Sequence, residues 1–133
     1  MDLLDRLLGH DAWTTRQLLE ICGTLSDEQL DREFDIGHRS LRATLHHLIG
    51  NMEIWSTLMA AESIERQSDQ SIPGLTQRLT VAANRLETIG RKVAAEEAWD
   101  EVWLDVLDDP PCEKTYGTAL AHIITHSTFF FFF

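Results

Sequence analysis

Cysteine, proline and basic charge are all scarce in this chain. The two cysteines among its 133 residues, Cys22 and Cys112, lie far apart and match no zinc-ligand spacing. They read as reduced structural thiols of a cytosolic protein rather than as a disulfide framework. Lys and Arg number 11 against 22 Asp and Glu, a formal charge of −11. Such a surface repels phosphate backbones and anionic lipids, so neither nucleic acid nor a membrane is an expected partner. No apolar run approaches the roughly 18 residues of a membrane span. Met1-Asp2 opens directly into an amphipathic pattern with no basic leader region, and the expected location is the cytoplasm. No hydrolase triad, Gly-rich phosphate loop or glycosidase carboxylate pair is visible, and Gly117 stands alone.

What is present is helical periodicity. Leu4, Leu7, Leu8, Leu18, Leu19 and Cys22 share one face of a first segment from about Asp2 to Cys22, which Gly23 ends. Ser26 and Gln29 have the spacing of a capping box on a short helix. Ser40 is the expected N-cap of a long helix reaching Glu62, with Leu41, Leu45, Leu48, Met52, Trp55 and Met59 as its seam. Pro73 suits the first turn of the next helix, where Leu75, Leu79, Ala82, Leu86, Ile89 and Val93 repeat the pattern and Gly90 weakens it slightly. Trp99 to Leu107 is apolar but acidic and is closed by Asp108-Asp109-Pro110-Pro111; it reads as a loop with one short helical turn. A last helix starts near Tyr116 or Gly117. With no convincing strand, the expected fold is all-α: an up-down-type four-helix bundle with a long connection before the last helix. Residues 1–133 read as one domain whose last helix looks cut short, ending in Phe129 to Phe133.

The polar residues on these faces carry the functional signal. His122 and His126 are four apart, so both imidazoles can approach one point, a metal-ligand spacing. Ala119, Ile123, His126 and Phe130 share a face, which puts His126 near the centre of the buried stripe with His122 beside it. A buried imidazole needs a partner: a metal, a carboxylate or a water. On the Ser40 helix, His47 falls at the edge of the apolar arc. His46 falls with Arg42 and Glu53 on the wet side. Asp11 lies in line with Leu4, Leu8, Thr15 and Cys22. It either orients a ligand histidine, binds metal itself, or sits at the rim of a slightly rotated helix. His10 reads as packing or rim, and His38 has no periodic context and receives no role.

Three stretches resemble the DinB-like family of damage-inducible four-helix-bundle metalloenzymes: His10-Asp11-Ala12-Trp13 with the following Leu25 to Leu30, then Ser40 to Ile49 with Trp55, then Ala121 to Ser127. Together they span nearly the whole chain. The resemblance implies a divalent metal, Zn or Ni, held by three histidines. His47 matches the ligand of the second long helix and His126 the first ligand of the last helix. The third ligand falls four residues later, where this chain has Phe130. That departure removes a ligand, unless Asp11, His122, water or another chain completes the site. The implied activity is a metal-dependent, thiol-dependent transferase or hydrolase acting on a small molecule, with a low-molecular-weight thiol as co-substrate and a homodimer as assembly. The rival reading is a non-catalytic, stress-associated dimerising bundle with a vestigial site. In a third, the chain is an incomplete version of a longer enzyme.

Overall fold

A computed structural model describes residues 2–132, with side chains described through Phe129. Five helices and one small hairpin follow in the order α1 (Leu3–Cys22), α2 (Asp27–Asp31), α3 (Leu41–Met59), α4 (Ile72–Ala95), β1 (Val102–Asp105), β2 (Cys112–Thr115) and α5 (Tyr116–Phe132). The starts of the helices are set by side-chain caps. Asp2 with Asp5, and Ser26 with Gln29, form reciprocal capping boxes; Ser40 and Ser71 accept from the backbone N–H of Ala43 and Gly74. Each cap satisfies amide donors that the first helical turn leaves without a partner.

The four long helices pack in a closed order: α1 on α4, α4 on α3, α3 on α5, and α5 on α1. Leu19, Leu45, Ile49, Leu75, Leu79, Leu86, Leu120 and Ile123 are fully buried between them. Each such side chain contributes about 1.5–3 kcal/mol relative to exposure. Gly90 has a packing reason: a Cβ there would meet the side chains of Leu4 and Leu8 at 3.1 Å, so the missing side chain lets α1 approach α4. Leu7, expected on the buried face of α1, is instead 41% exposed, because the packed arc centres on Leu8, Asp11, Thr15, Leu19 and Cys22.

Two boundaries differ from the sequence expectation. α3 stops at Met59 rather than Glu62, because Ala61 turns left-handed (φ 54°). Ala61 N–H then donates to Leu58 and Glu62 N–H to Thr57, the two bonds of a Schellman stop. The stretch expected as a loop with one helical turn contains strand β1, which pairs antiparallel with β2, Trp103 opposite Lys114. The molecule is therefore mostly helical with a two-stranded hairpin, rather than free of strand. On β1, Trp103 and the acidic Asp105 share the inward face while apolar Val102 and Leu104 face out, so the usual apolar-in, polar-out alternation is hidden. Lys114 of β2 neutralises the buried Asp105.

Among the described residues, no helix is long and apolar enough to cross a membrane.

Candidate metal centre

His47 and His126 meet. Their Nε2 atoms lie 3.2 Å apart, one from α3 and one from α5. Helical periodicity brings them there: His47 follows the buried Leu45 and precedes Leu48, while His126 lies between the buried Ile123 and Ser127. Both rings are half-buried. Burial holds the His47 imidazole down at about 4, with the neighbouring imidazoles of His38, His126 and His46 adding to the effect. His126 is lowered for the same reason, by burial first and then by His122 and His38. Both are thus neutral imidazoles at pH 7, the form that donates to a metal.

The spacing fits a shared ion. Two nitrogens at about 2.0–2.1 Å from a tetrahedral zinc sit about 3.3 Å from each other. The same 3.2 Å separation also suits one N–H···N hydrogen bond between complementary tautomers. The Asn51 amide lies 3.5 Å from His126 Nδ1. Turned so that its oxygen faces the ring, Asn51 accepts from Nδ1–H and leaves the Nε2 lone pair directed at His47. Asn51 is one turn beyond His47 on α3, a polar residue that periodicity alone did not single out.

The other sequence-selected residues fall around this pair. Asp11 is buried, 5% exposed, and not at a rim. Its carboxylate accepts from Ser127 Oγ at 3.4 Å, so it faces the residue after His126. Burial raises the Asp11 carboxyl to about 6, against the smaller lowering by Ser127 and His10. His122 is exposed and packs on Trp55, with centroids 4.7 Å apart, and it lies 5.7 Å from the His126 ring. Trp55 in turn meets Trp103 edge-on and carries Lys114 Nζ 5.0 Å from its centroid. The family's third ligand position, Phe130, lies outside the residues whose side chains are described. Among the described residues, no three His, Cys, Asp or Glu side chains converge to hold a metal as placed.

Two histidines depart from expectation. His38, given no role from sequence, stacks on His47 with ring centroids 3.9 Å apart and planes 26° from parallel. Its turn conformation, not periodicity, brings it there, so a helical wheel could not find it. His46 is half-buried rather than on a wet face, and its Nδ1 lies 3.0 Å from Arg78 Nη1. Arg78 also pairs with Glu53 through both nitrogens of its fork, at 3.1 and 2.7 Å. This α3–α4 network borders a cleft of ≈ 450 Å³ lined in part by Glu53, Thr57, Gln77, Arg78 and Arg85. Neither His47 nor His126 lines that cleft. The imidazole pair, with its convergent nitrogens, is the stronger site on chemical grounds.

No curated protein matches the chain. A family model described as the DinB family matches residues 1–129. With that match over nearly its whole length, the chain belongs to the DinB family.

Proposed function

We propose that this chain is a cytoplasmic divalent-metal-dependent enzyme, built as an up-down four-helix bundle and acting on a small molecule by thiol-dependent transfer or hydrolysis. The observation that carries this reading is the 3.2 Å approach of His47 Nε2 and His126 Nε2. His47 and His126 would hold the ion, and Zn or Ni suits imidazole donors. When bound, such an ion supplies Lewis acidity that lowers the pKa of a water or thiol beside it. The chain's own residues do the rest. Asn51 holds the tautomer of His126. Asp11 steadies α5 through Ser127. Trp55 and His122 form an aromatic wall beside His126, against which a small substrate can pack. The partners are a small-molecule substrate, a low-molecular-weight thiol and a second copy of the chain, with no role for nucleic acid or membrane.

The second reading is a non-catalytic dimerising bundle with a vestigial site. It is favoured by the lack, among the described residues, of three converging ligands. Elemental analysis of protein purified without a His-tag or chelator, followed by zinc and nickel titration, separates the two. Near-stoichiometric metal, lost in both His47→Ala and His126→Ala, supports the enzyme reading and directs assays to thiol transfer and hydrolysis. Full metal affinity in both variants would remove His47 and His126 as ligands. No metal uptake at all would leave the vestigial bundle.

A further inference from the structure

We propose that the cleft between α3 and α4 is a second binding site, independent of the imidazole pair, for a small zwitterion of the amino-acid or short-peptide class. Neither His47 nor His126 lines it, so the inference stands or falls apart from the metal reading.

The cleft follows from how the chain returns from α3 to α4. Residues 60–71 form no helix or strand. They run back along the helices and are pinned at both ends. Near the start, Glu62 pairs with Arg85 at 3.1 Å. Near the finish, the carbonyls of Asp69 and Gln70 accept from Arg78 and Arg42, each at 2.7 Å. Between these pins Ile64 packs against the core. The helices contribute small buried side chains to the cleft, Ser56 from α3 and Ala82 from α4. Large buried residues flank both: Met52 and Met59 along α3, Leu79 and Leu86 along α4. The two small positions therefore leave a hollow of ≈ 450 Å³ between pinned walls. Small-molecule sites span about 300–1,000 Å³.

The partners of the charged side chains narrow the ligand. Arg78 is occupied, because Glu53, His46 and the Asp69 carbonyl take its donors. Arg85 has donors to spare. Its Nη1 donates to Thr57 Oγ1 at 2.9 Å and its Nη2 faces Glu62. Thr57 is buried, so the guanidinium is held against the cleft wall. A guanidinium carries five N–H donors. Arg42 of this same chain holds Asp27, Asp31 and the Gln70 carbonyl at once. Arg85 can likewise take a ligand carboxylate beside Glu62. Glu65, on the returning segment, also lines the cleft and makes no ion pair among the described residues. It offers a carboxylate to a ligand ammonium. The amides of Gln67 and Gln77 add donors and acceptors suited to a peptide group, and Val81 gives an apolar flank. A dianion would leave Glu65 without a counter-charge and meet a chain of formal charge −11. A plain amine would leave the donors of Arg85 unused.

The test is titration of the ¹⁵N-labelled full chain, followed by amide chemical shifts, with glycylglycine and L-glutamine as zwitterions, putrescine as the amine and succinate as the dianion. The proteins are wild type, Arg85→Gln, Glu65→Gln and His47→Ala, and the same spectra report folding. Glu65 is exposed, so Glu65→Gln keeps the test open even if Arg85→Gln fails to fold. A zwitterion is expected to shift the amides of Ser56, Ser63, Gln67 and Ala82. Arg85→Gln and Glu65→Gln are each expected to weaken it about 10-fold or more, the loss of a charged hydrogen bond. His47→Ala is expected to bind like wild type. Putrescine or succinate binding as tightly as the zwitterions overturns the inference. So does zwitterion binding that survives both cleft substitutions, or that is lost in His47→Ala, which would move the ligand to the imidazole pair. No shift with any probe overturns it too, and none of these outcomes touches the His47–His126 reading as metal ligands.

Discussion

Asp11 and His47 show how burial acts on single groups with opposite sign. The Asp11 carboxyl rises from 3.8 to about 6, and the His47 imidazole falls from 6.5 to about 4. A raised carboxyl stabilises the fold below its unfolded value, and that contribution is lost as pH rises through about 6. A depressed imidazole stabilises above its unfolded value, and that contribution is lost as pH falls through about 4. Between those limits the two oppose each other. Metal-free Asp11→Asn keeps only the imidazole effect. It is expected to lose stability more steeply than wild type on acidification from pH 6.5 to 4, the interval between the ordinary and the lowered His47 values. Urea midpoints taken at pH steps across that interval check this; parallel profiles would mean that the carboxyl is not desolvated. Much at this scale was legible in the sequence: Asp11 on the stripe with Thr15 and Cys22, His47 and His126 turned inward. His38 was not, because its placement depends on two left-handed residues, Gly37 and Arg39, that no periodicity encodes.

At the scale of the element, helix starts were easier to read than helix stops. Ser26, Ser40 and Ser71 cap by a local rule in which a side chain reaches an amide three residues on. The stops of α3 and α4 instead use Ala61 at φ 54° and Glu97 at φ 53°, residue types that do not advertise a left-handed turn. Both ends carry the same bond pair: Ala61 to Leu58 with Glu62 to Thr57, and Glu97 to Ala94 with Ala98 to Val93. Glycine relieves the steric cost of that conformation. Ala61→Gly is therefore expected to stabilise the protein by up to about 1 kcal/mol, whereas the same change at Ala83, inside α4, is expected to destabilise it by about 1 kcal/mol. Thermal melts of the two variants check the pair, and a destabilised Ala61→Gly would contradict the strain assigned to that stop. The hairpin was missed for a related reason. Its inward positions are Trp103 and Asp105, and a buried acid looks like solvated charge until Lys114 on the opposite strand is placed beside it.

Across the whole molecule, charge is pinned as well as spread. Arg78 of α4 is 7% exposed, and its partner Glu53 of α3 is 19% exposed. Arg78 also donates to the carbonyl of Asp69, at 2.7 Å, in the segment leading into α4. Arg42 of α3 donates to the next carbonyl, Gln70, at 2.7 Å, and pairs with Asp27 and Asp31 around α2. Two guanidinium groups thus fasten the α3–α4 connection to the helices. Arg78→Met leaves the Glu53 carboxylate on the cleft wall without its guanidinium and is expected to cost about 2 kcal/mol. Arg78→Met with Glu53→Leu is expected to recover more than half of that loss, because no charge is left behind. Denaturant unfolding of the single and double variants tests this, and equal losses in both would mean that the pair is not coupled.

The sequence by itself determined the helical periods, the capped starts, and the faces on which Asp11, His47 and His126 lie, because these depend on residues three or four apart. It also carried the family, through motifs within α1, α3 and α5. Only the tertiary structure decided that His47 and His126 meet at 3.2 Å, that Asp11 faces Ser127, and that His38 stacks over His47. Those contacts join segments up to 116 residues apart, as between Asp11 and Ser127. They follow from how packed helices and a strained turn share space, which no local rule of spacing contains.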